Sequence, residues 1–157
     1  MAIEKVRDYF RLHGMEDQIL EFPVSSATVD LAAAALGCEP CRIAKSLSFK
    51  VNDQPILIVA AGDARIDNKK FRAQFGVKAV MPHGDEVEQL IGHGVGGVCP
   101  FGVNEGVKVY LDESLKRFET VYPACGSANS AIQLTIPQLE QHSGYTAWIN
   151  VSKDAEA

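Results

Sequence analysis

Residues 54–61 read QPILIVAA, and after the first residue the run is apolar at odd and even positions alike. Alternate side chains of a strand leave on opposite faces, so a strand apolar at both parities has to be covered on both sides. That places it in the middle of a sheet. The preceding residues 45–51, KSLSFKV, alternate instead, and Asn52 and Asp53 between the two segments tolerate the positive φ of a tight hairpin turn. A hairpin whose second arm is a central strand is the expected nucleus of the fold.

Around it, helix and strand signals intermix without a βαβ alternation. Ile3, Val6, Tyr9, Phe10 and His13 recur at helical spacing before Gly14, and residues 18–22 form a short strand ended by Pro23. Ser25, Ser26 and Thr28 offer caps for a helix over 29–36 stopped by Gly37, and Pro40 suits a short helix over 40–43. Asp67 caps a helix carrying Phe71 and Phe75 and closed by Gly76. Further strands are expected at 77–81, 107–111, 118–122, 131–135 and 145–151, with helices at 86–91 and 137–142 and a turn over 112–115. The pattern predicts one α+β domain over residues 1–157 with a curved, mixed, largely antiparallel sheet, and the polar, small residues 152–157 are expected to be flexible.

No stretch approaches the ~20 apolar residues of a membrane span, and the amphipathic start is unlike a signal peptide, so a cytoplasmic location without membrane attachment is expected. The net charge of −5 argues against a broad phosphate-binding face, while leaving room to grip the end of a nucleic acid. Cys38 and Cys41 have CxxC spacing, but no second ligand pair accompanies them and they follow alanine-rich helix sequence. Reduced thiols are the expectation, with no metal and no cofactor.

Three segments are candidates for chemistry. Lys45 has the parity of Leu47, Phe49 and Val51, the apolar face of its strand. It either snorkels back to solvent or presents an ammonium to a cleft. The stretch from Gly96 through Gly97, Val98, Cys99, Pro100 and Phe101 to Gly102 lets a ligand approach backbone N–H groups, yet matches neither a P-loop nor a dinucleotide fingerprint. Gly126, Ser127, Ala128, Asn129 and Ser130 offer donors and acceptors without bulk. A Cys99 nucleophile with His93 or His83 as base is an alternative without a local signature.

Taken together and in this order, the segments around Lys45, Gly96–Gly102 and Gly126–Ser130 resemble the YbaK/EbsC (ProX, INS-type) family of editing domains, which deacylate mischarged tRNA. The resemblance implies a barrel-like sheet, the family's functional lysine at Lys45, and Gly96 and Gly97 as backbone donors to a developing oxyanion. It implies substrate contacts from Ser46, Phe49, Val98, Cys99, Pro100, Phe101, Gly102, Gly126, Ser127 and Asn129. Lys45 would anchor a phosphate or the aminoacyl carbonyl as an ammonium, or serve as a base if burial lowers its pKa. The implied partners are the acceptor end of an aminoacyl-tRNA and a prolyl-tRNA synthetase. The implied substrate is a proline tRNA carrying cysteine, alanine, serine or another small residue. Two departures stand out: Cys99 occupies a position that is often serine, and Ser46 follows the lysine where alanine-specific members are expected to carry asparagine. The rival reading is a non-catalytic nucleic-acid or protein interaction module of the same fold.

Overall fold

The structure, a computed structural model, describes residues 2–154. The expected hairpin is its spine. Strands β2 (Ile43–Val51) and β3 (Gln54–Ala61) pair antiparallel from Ala44↔Ala61 to Val51↔Gln54. Asn52 (φ 50°) and Asp53 (φ 66°) supply the two positive φ values of the turn.

With β5 (Lys108–Asp112), β6 (Thr120–Pro123), β8 (Leu134–Thr135) and β9 (Ala147–Ile149), the hairpin builds a six-stranded sheet of order β8-β6-β2-β3-β5-β9. The sheet is mixed and curls into a half-barrel, with β2·β6, β3·β5 and β5·β9 parallel. Two further antiparallel pairs flank it: β1 (Ile19–Glu21) with β7 (Ser130–Ile132), and β4 (Ala64–Ile66) with β10 (Ser152–Asp154). Strand β3 is covered on both faces, as its composition demands. Leu57, Val59 and Ala61 join the main core with Phe10, Ile91 and Phe101. Ile56 and Ile58 join a second core with Phe49, Phe71 and Val151.

Helices α1 (Ala2–Leu12), α2 (Val29–Leu36), α3 (Asn68–Phe75), α4 (Gly84–Ile91) and α5 (Ile136–Ser143) surround the sheet. Their ends follow the capping residues. Thr28, Asp67 and Thr135 accept backbone N–H groups at the starts of α2, α3 and α5, and Gly37, Gly76 and Gly144 adopt αL at the ends. Among the described residues no helix is long and apolar enough to cross a membrane.

Four expectations are corrected. Residues 77–81 form no strand, although the Lys50 N–H donates to the Val80 carbonyl at 2.8 Å. The strand expected over 131–135 breaks at Gln133, because β7 pairs with β1 and β8 with β6. The last strand of the main sheet is shortened to β9, and β4 was not foreseen. Of the C-terminal residues expected to be flexible, Ser152–Asp154 form β10, and 155–157 lie outside the described residues.

Strand β10 is held by Asp112, which is fully buried. Its carboxylate accepts from the Val151 N–H (2.9 Å), the Ser152 hydroxyl (2.6 Å) and the Ser114 N–H (3.0 Å). Removing the carboxylate leaves those donors without an acceptor. Asp112→Ala is therefore expected to lower stability by about 3 kcal/mol in urea unfolding, and Asp112→Asn by less. A change below about 0.5 kcal/mol would show that the C-terminal strand does not depend on this carboxylate.

Candidate active site

A cleft of about 310 Å3 opens beside the N-terminal half of β2. Its walls come from residues 26–29, from β2, from Gly96 and Val98 of the glycine-rich loop, and from Tyr122, Ala124 and Ser130. Among the described residues Lys45 is the one charged side chain in the lining, which contains no His, Cys, Asp or Glu. The remaining polar groups are hydroxyls: Ser26, Thr28, Ser46, Ser48, Tyr122 and Ser130. The Ser46 hydroxyl is buried and has no hydrogen-bond partner among the described residues. Met81 and Val95, 60% and 70% exposed, form an apolar rim.

Lys45 is half-buried and does not snorkel. Its ammonium donates to the Gly62 carbonyl at 3.3 Å and to the Ala64 carbonyl. An ammonium has three donors, so one is left over. Burial lowers the Lys45 pKa from its ordinary value and Arg65 adds to that, while Asp63 and Asp112 oppose it. The two carbonyl acceptors also favour the charged form.

The turn that supplies these carbonyls is braced from several sides. A Cβ on Gly62 would stand 2.0 Å from the Pro40 carbonyl oxygen, so only glycine lets the chain pass there. The Ala61 N–H donates to the Ser114 hydroxyl at 3.0 Å. Arg117 grips both oxygens of Asp63 at 2.5 and 3.0 Å and holds that carboxyl below its ordinary pKa.

The glycine-rich loop and the 126–130 loop interlock. A Cβ on Gly97 would lie 2.6 Å from the Ser127 nitrogen and 2.7 Å from the Gly126 carbonyl carbon. A Cβ on Gly96 (φ +92°) would meet Ala27 and Ala128 at 3.2 and 3.4 Å. The Gly97 N–H already donates to the Gly94 carbonyl at 3.0 Å. In the second loop the polar side chains act as struts. Ser127 bonds Asn129 (3.0 Å) and Ser130 (2.7 Å), and the Asn129 amide reaches the Phe22 carbonyl (3.1 Å). The Ser26 N–H meets the Ala128 carbonyl at 2.6 Å, which ties residue 26 into the cleft wall.

Of the residues expected to touch substrate, Lys45, Ser46, Gly96 and Val98 line the cleft, and the others do not. Gly97, Gly126, Ser127 and Asn129 stand behind it as supports. Phe49 belongs to the second core, and Phe101 packs on Phe10 in the main core with ring centroids 4.9 Å apart. Cys99 and Pro100 are buried outside the lining, and Gly102 (φ +65°) lies against Lys5.

Cys99 does meet His93, its Sγ lying 3.5 Å from Nε2, and the same nitrogen donates to the Phe101 carbonyl at 2.5 Å. The pair is fully buried away from the cleft. Burial pushes the thiol up to about 12 and lowers the imidazole pKa, so no thiolate forms near neutrality.

The sequence reading missed Ser48, Tyr122 and the apolar rim. It read Ser26 and Thr28 only as caps, which Thr28 also is. The interlocking of the loops makes a direct prediction. Gly97→Ala forces backbone against backbone and is expected to destabilise the fold by about 1–3 kcal/mol in thermal or urea unfolding. Wild-type stability in that variant would contradict the packing described.

The aminoacyl-tRNA editing domain family model matches residues 24–141. A Bacillus subtilis (strain 168) protein, YwhH, described as uncharacterized, is 55% identical over 99% of this chain and 100% of its own length. A proline–tRNA ligase from Geobacillus sp. (strain WCH70) is 31% identical over 64% of this chain, in a region that makes up 18% of the ligase. A solved structure described provisionally as a trans-editing enzyme for prolyl tRNA synthetase is 28% identical. It superposes with a TM-score of 0.85 over 97% of both chains. The chain belongs to the aminoacyl-tRNA editing domain family.

Proposed function

We propose that the chain is a trans-editing deacylase that hydrolyses the ester of a proline tRNA carrying a small, wrong amino acid such as cysteine, alanine or serine. The observation that carries this reading is a small cleft whose one charged group, Lys45, keeps a donor free while two backbone carbonyls fix it. Proline as the tRNA identity is supported by the likeness to proline–tRNA ligases and to the trans-editing structure, and a prolyl-tRNA synthetase is the partner it implies.

An aminoacyl ester is activated, so its hydrolysis needs placement and charge stabilisation more than a strong protein nucleophile. Among the described residues the lining holds no carboxylate, imidazole or thiol to activate a protein nucleophile, and in this reading water attacks, oriented by the substrate's own ribose hydroxyl. The Lys45 ammonium stabilises charge on the aminoacyl carbonyl or holds the adjacent phosphate. Because the Gly97 N–H is taken by Gly94, a backbone donor from this loop falls to Gly96 or Val98. The unpartnered Ser46 hydroxyl meets the polar part of the aminoacyl group. Ala27, Ala44, Val98 and Gly96 limit the room for its side chain, since a larger residue has to be rejected sterically.

Proline tRNAs charged with cysteine, alanine, serine, threonine or proline are expected to separate clearly. One or two small-residue esters turn over, the prolyl ester survives, and Lys45→Ala loses about 100-fold or more in kcat/KM. Hydrolysis of the prolyl ester, or a Lys45→Ala variant as active as wild type, would contradict the reading. The pH dependence has a definite sign. An ammonium clamp is lost as pH rises through a pKa that burial has lowered. The ratio of enzymatic to spontaneous hydrolysis is therefore expected to fall at a pH below the ordinary lysine pKa of about 10.4. A ratio that instead rises through that range would identify Lys45 as a base.

A further inference from the structure

A second concavity, of about 380 Å3, is lined in part by β6 and β8. Its lining is neutral: Gln18, Thr120, Gln133, Thr135 and Gln138 supply amides and hydroxyls, and Leu20 the apolar part. The groove is joined to the active cleft through β6. Thr120 lines the groove and Tyr122 lines the cleft. Two residues apart on a strand, they share a face and stand about 7 Å from each other. Burial alternates accordingly, with Val121 and Pro123 buried and Thr120 and Tyr122 partly open.

Arg42 spans this interval. Its Nε donates to the Thr120 carbonyl at 3.1 Å, its Nη2 to the Thr120 hydroxyl, and its guanidinium carbon stands 5.7 Å from the centre of the Tyr122 ring. These bonds use two of the five guanidinium N–H donors. No carboxylate forms an ion pair with it among the described residues. Glu21, next to Leu20, is taken up by Arg7. A cation with spare donors thus bonds Thr120 of the groove and lies over the ring of Tyr122 of the cleft.

We propose that Arg42 and this groove form a binding track for the nucleotides that precede the terminal adenosine of the tRNA. Arg42 holds the phosphodiester leading into the cleft, and the groove amides meet the edge and ribose of the preceding base. The inference rests on the deacylase reading above for the placement of the terminal adenosine in the cleft. Spacing supports it, since a stacked strand advances about 3.4 Å per nucleotide and 7 Å therefore covers one or two. The chemistry supports it too: unpaired bases are read by hydrogen bonds on their exposed edges, and the 2′-hydroxyl both donates and accepts. A single arginine and neutral amides suit a chain of net charge −5, a balance that argues against a broad basic face.

The test compares an aminoacyl-tRNA with the same amino acid esterified to adenosine, which lacks the preceding phosphate and all nucleotides before it. In Arg42→Ala the ratio of kcat/KM on tRNA to that on the adenosine ester is expected to fall about tenfold or more. In Gln133→Ala it is expected to fall severalfold, and Arg42→Lys should restore part of the loss. The salt slope on tRNA should shrink by about 0.7, the share of one single-strand phosphate contact. An unchanged ratio, with both substrates losing equally, would show that Arg42 only supports the Tyr122 wall and would overturn the proposal. Fluorescence anisotropy with an uncharged single-stranded RNA ending in CCA separates this idea from the deacylase reading. If wild type hydrolyses neither ester yet binds the RNA, and Arg42→Ala weakens binding, the track stands and the chemistry fails. If wild type does not bind that RNA, the track fails.

Discussion

An ammonium withdrawn from water has to be given acceptors, and in this fold they are two backbone carbonyls at the end of the central hairpin. The other arrangements at this end of the sheet serve that contact. The Gly62 carbonyl is in place because a missing Cβ lets the chain pass the Pro40 carbonyl, and because Asp63 and Ala61 are tied to the segment following β5. Asp112, at the end of β5, anchors the C-terminal strand that pairs with β4, whose first residue, Ala64, is the second acceptor. The lysine is thereby fixed before any substrate arrives, with one donor left over. Preorganisation of this kind is what makes a single charge effective in a small site.

Cleft size has a separate origin. Glycines in the 96–97 segment let it close to backbone contact on the 126–127 segment, while Ala27 and Ala128 crowd Gly96 from either side. The hydroxyl and amide groups of the 126–130 loop are spent on bracing that loop and residues 22–26. Loops that resemble a ligand-binding surface in sequence thus act mainly as the frame of the pocket. The polar side chains of the cleft lining come from β2, from Ser26 and Thr28 just before α2, and from Tyr122 and Ser130.

Much of this was legible from the amino acids. The two-faced apolar run 54–61 gave the central strand, and Thr28 with Gly37 and Asp67 with Gly76 gave the ends of two helices, because both signals are local. The parity of Lys45 left open whether it snorkels or turns inward, and the structure shows its ammonium on the Gly62 and Ala64 carbonyls. What failed was non-local. The break at Gln133 depends on β7 and β8 finding different partners, and β10 exists because Asp112, some 40 residues away, accepts from Ser152. Phe49 and Phe101 were expected at the substrate, and the structure packs them in the second and main cores outside the cleft lining. The Cys99–His93 contact is real and chemically idle, since burial that brings the groups together also suppresses the thiolate.

The central claim is that the fixed Lys45 ammonium meets the aminoacyl group inside the β2 cleft. NMR of the side-chain Nζ of Lys45, with a non-hydrolysable amide-linked seryl- or alanyl-adenosine titrated in, observes that contact without relying on turnover. The account predicts a saturable shift of the Lys45 Nζ resonance together with the methyl groups of Ala27, Ala44 and Val98, while Cys99 and His93 stay unmoved. Saturable binding that shifts other residues and leaves Lys45 and those methyls unchanged would contradict it.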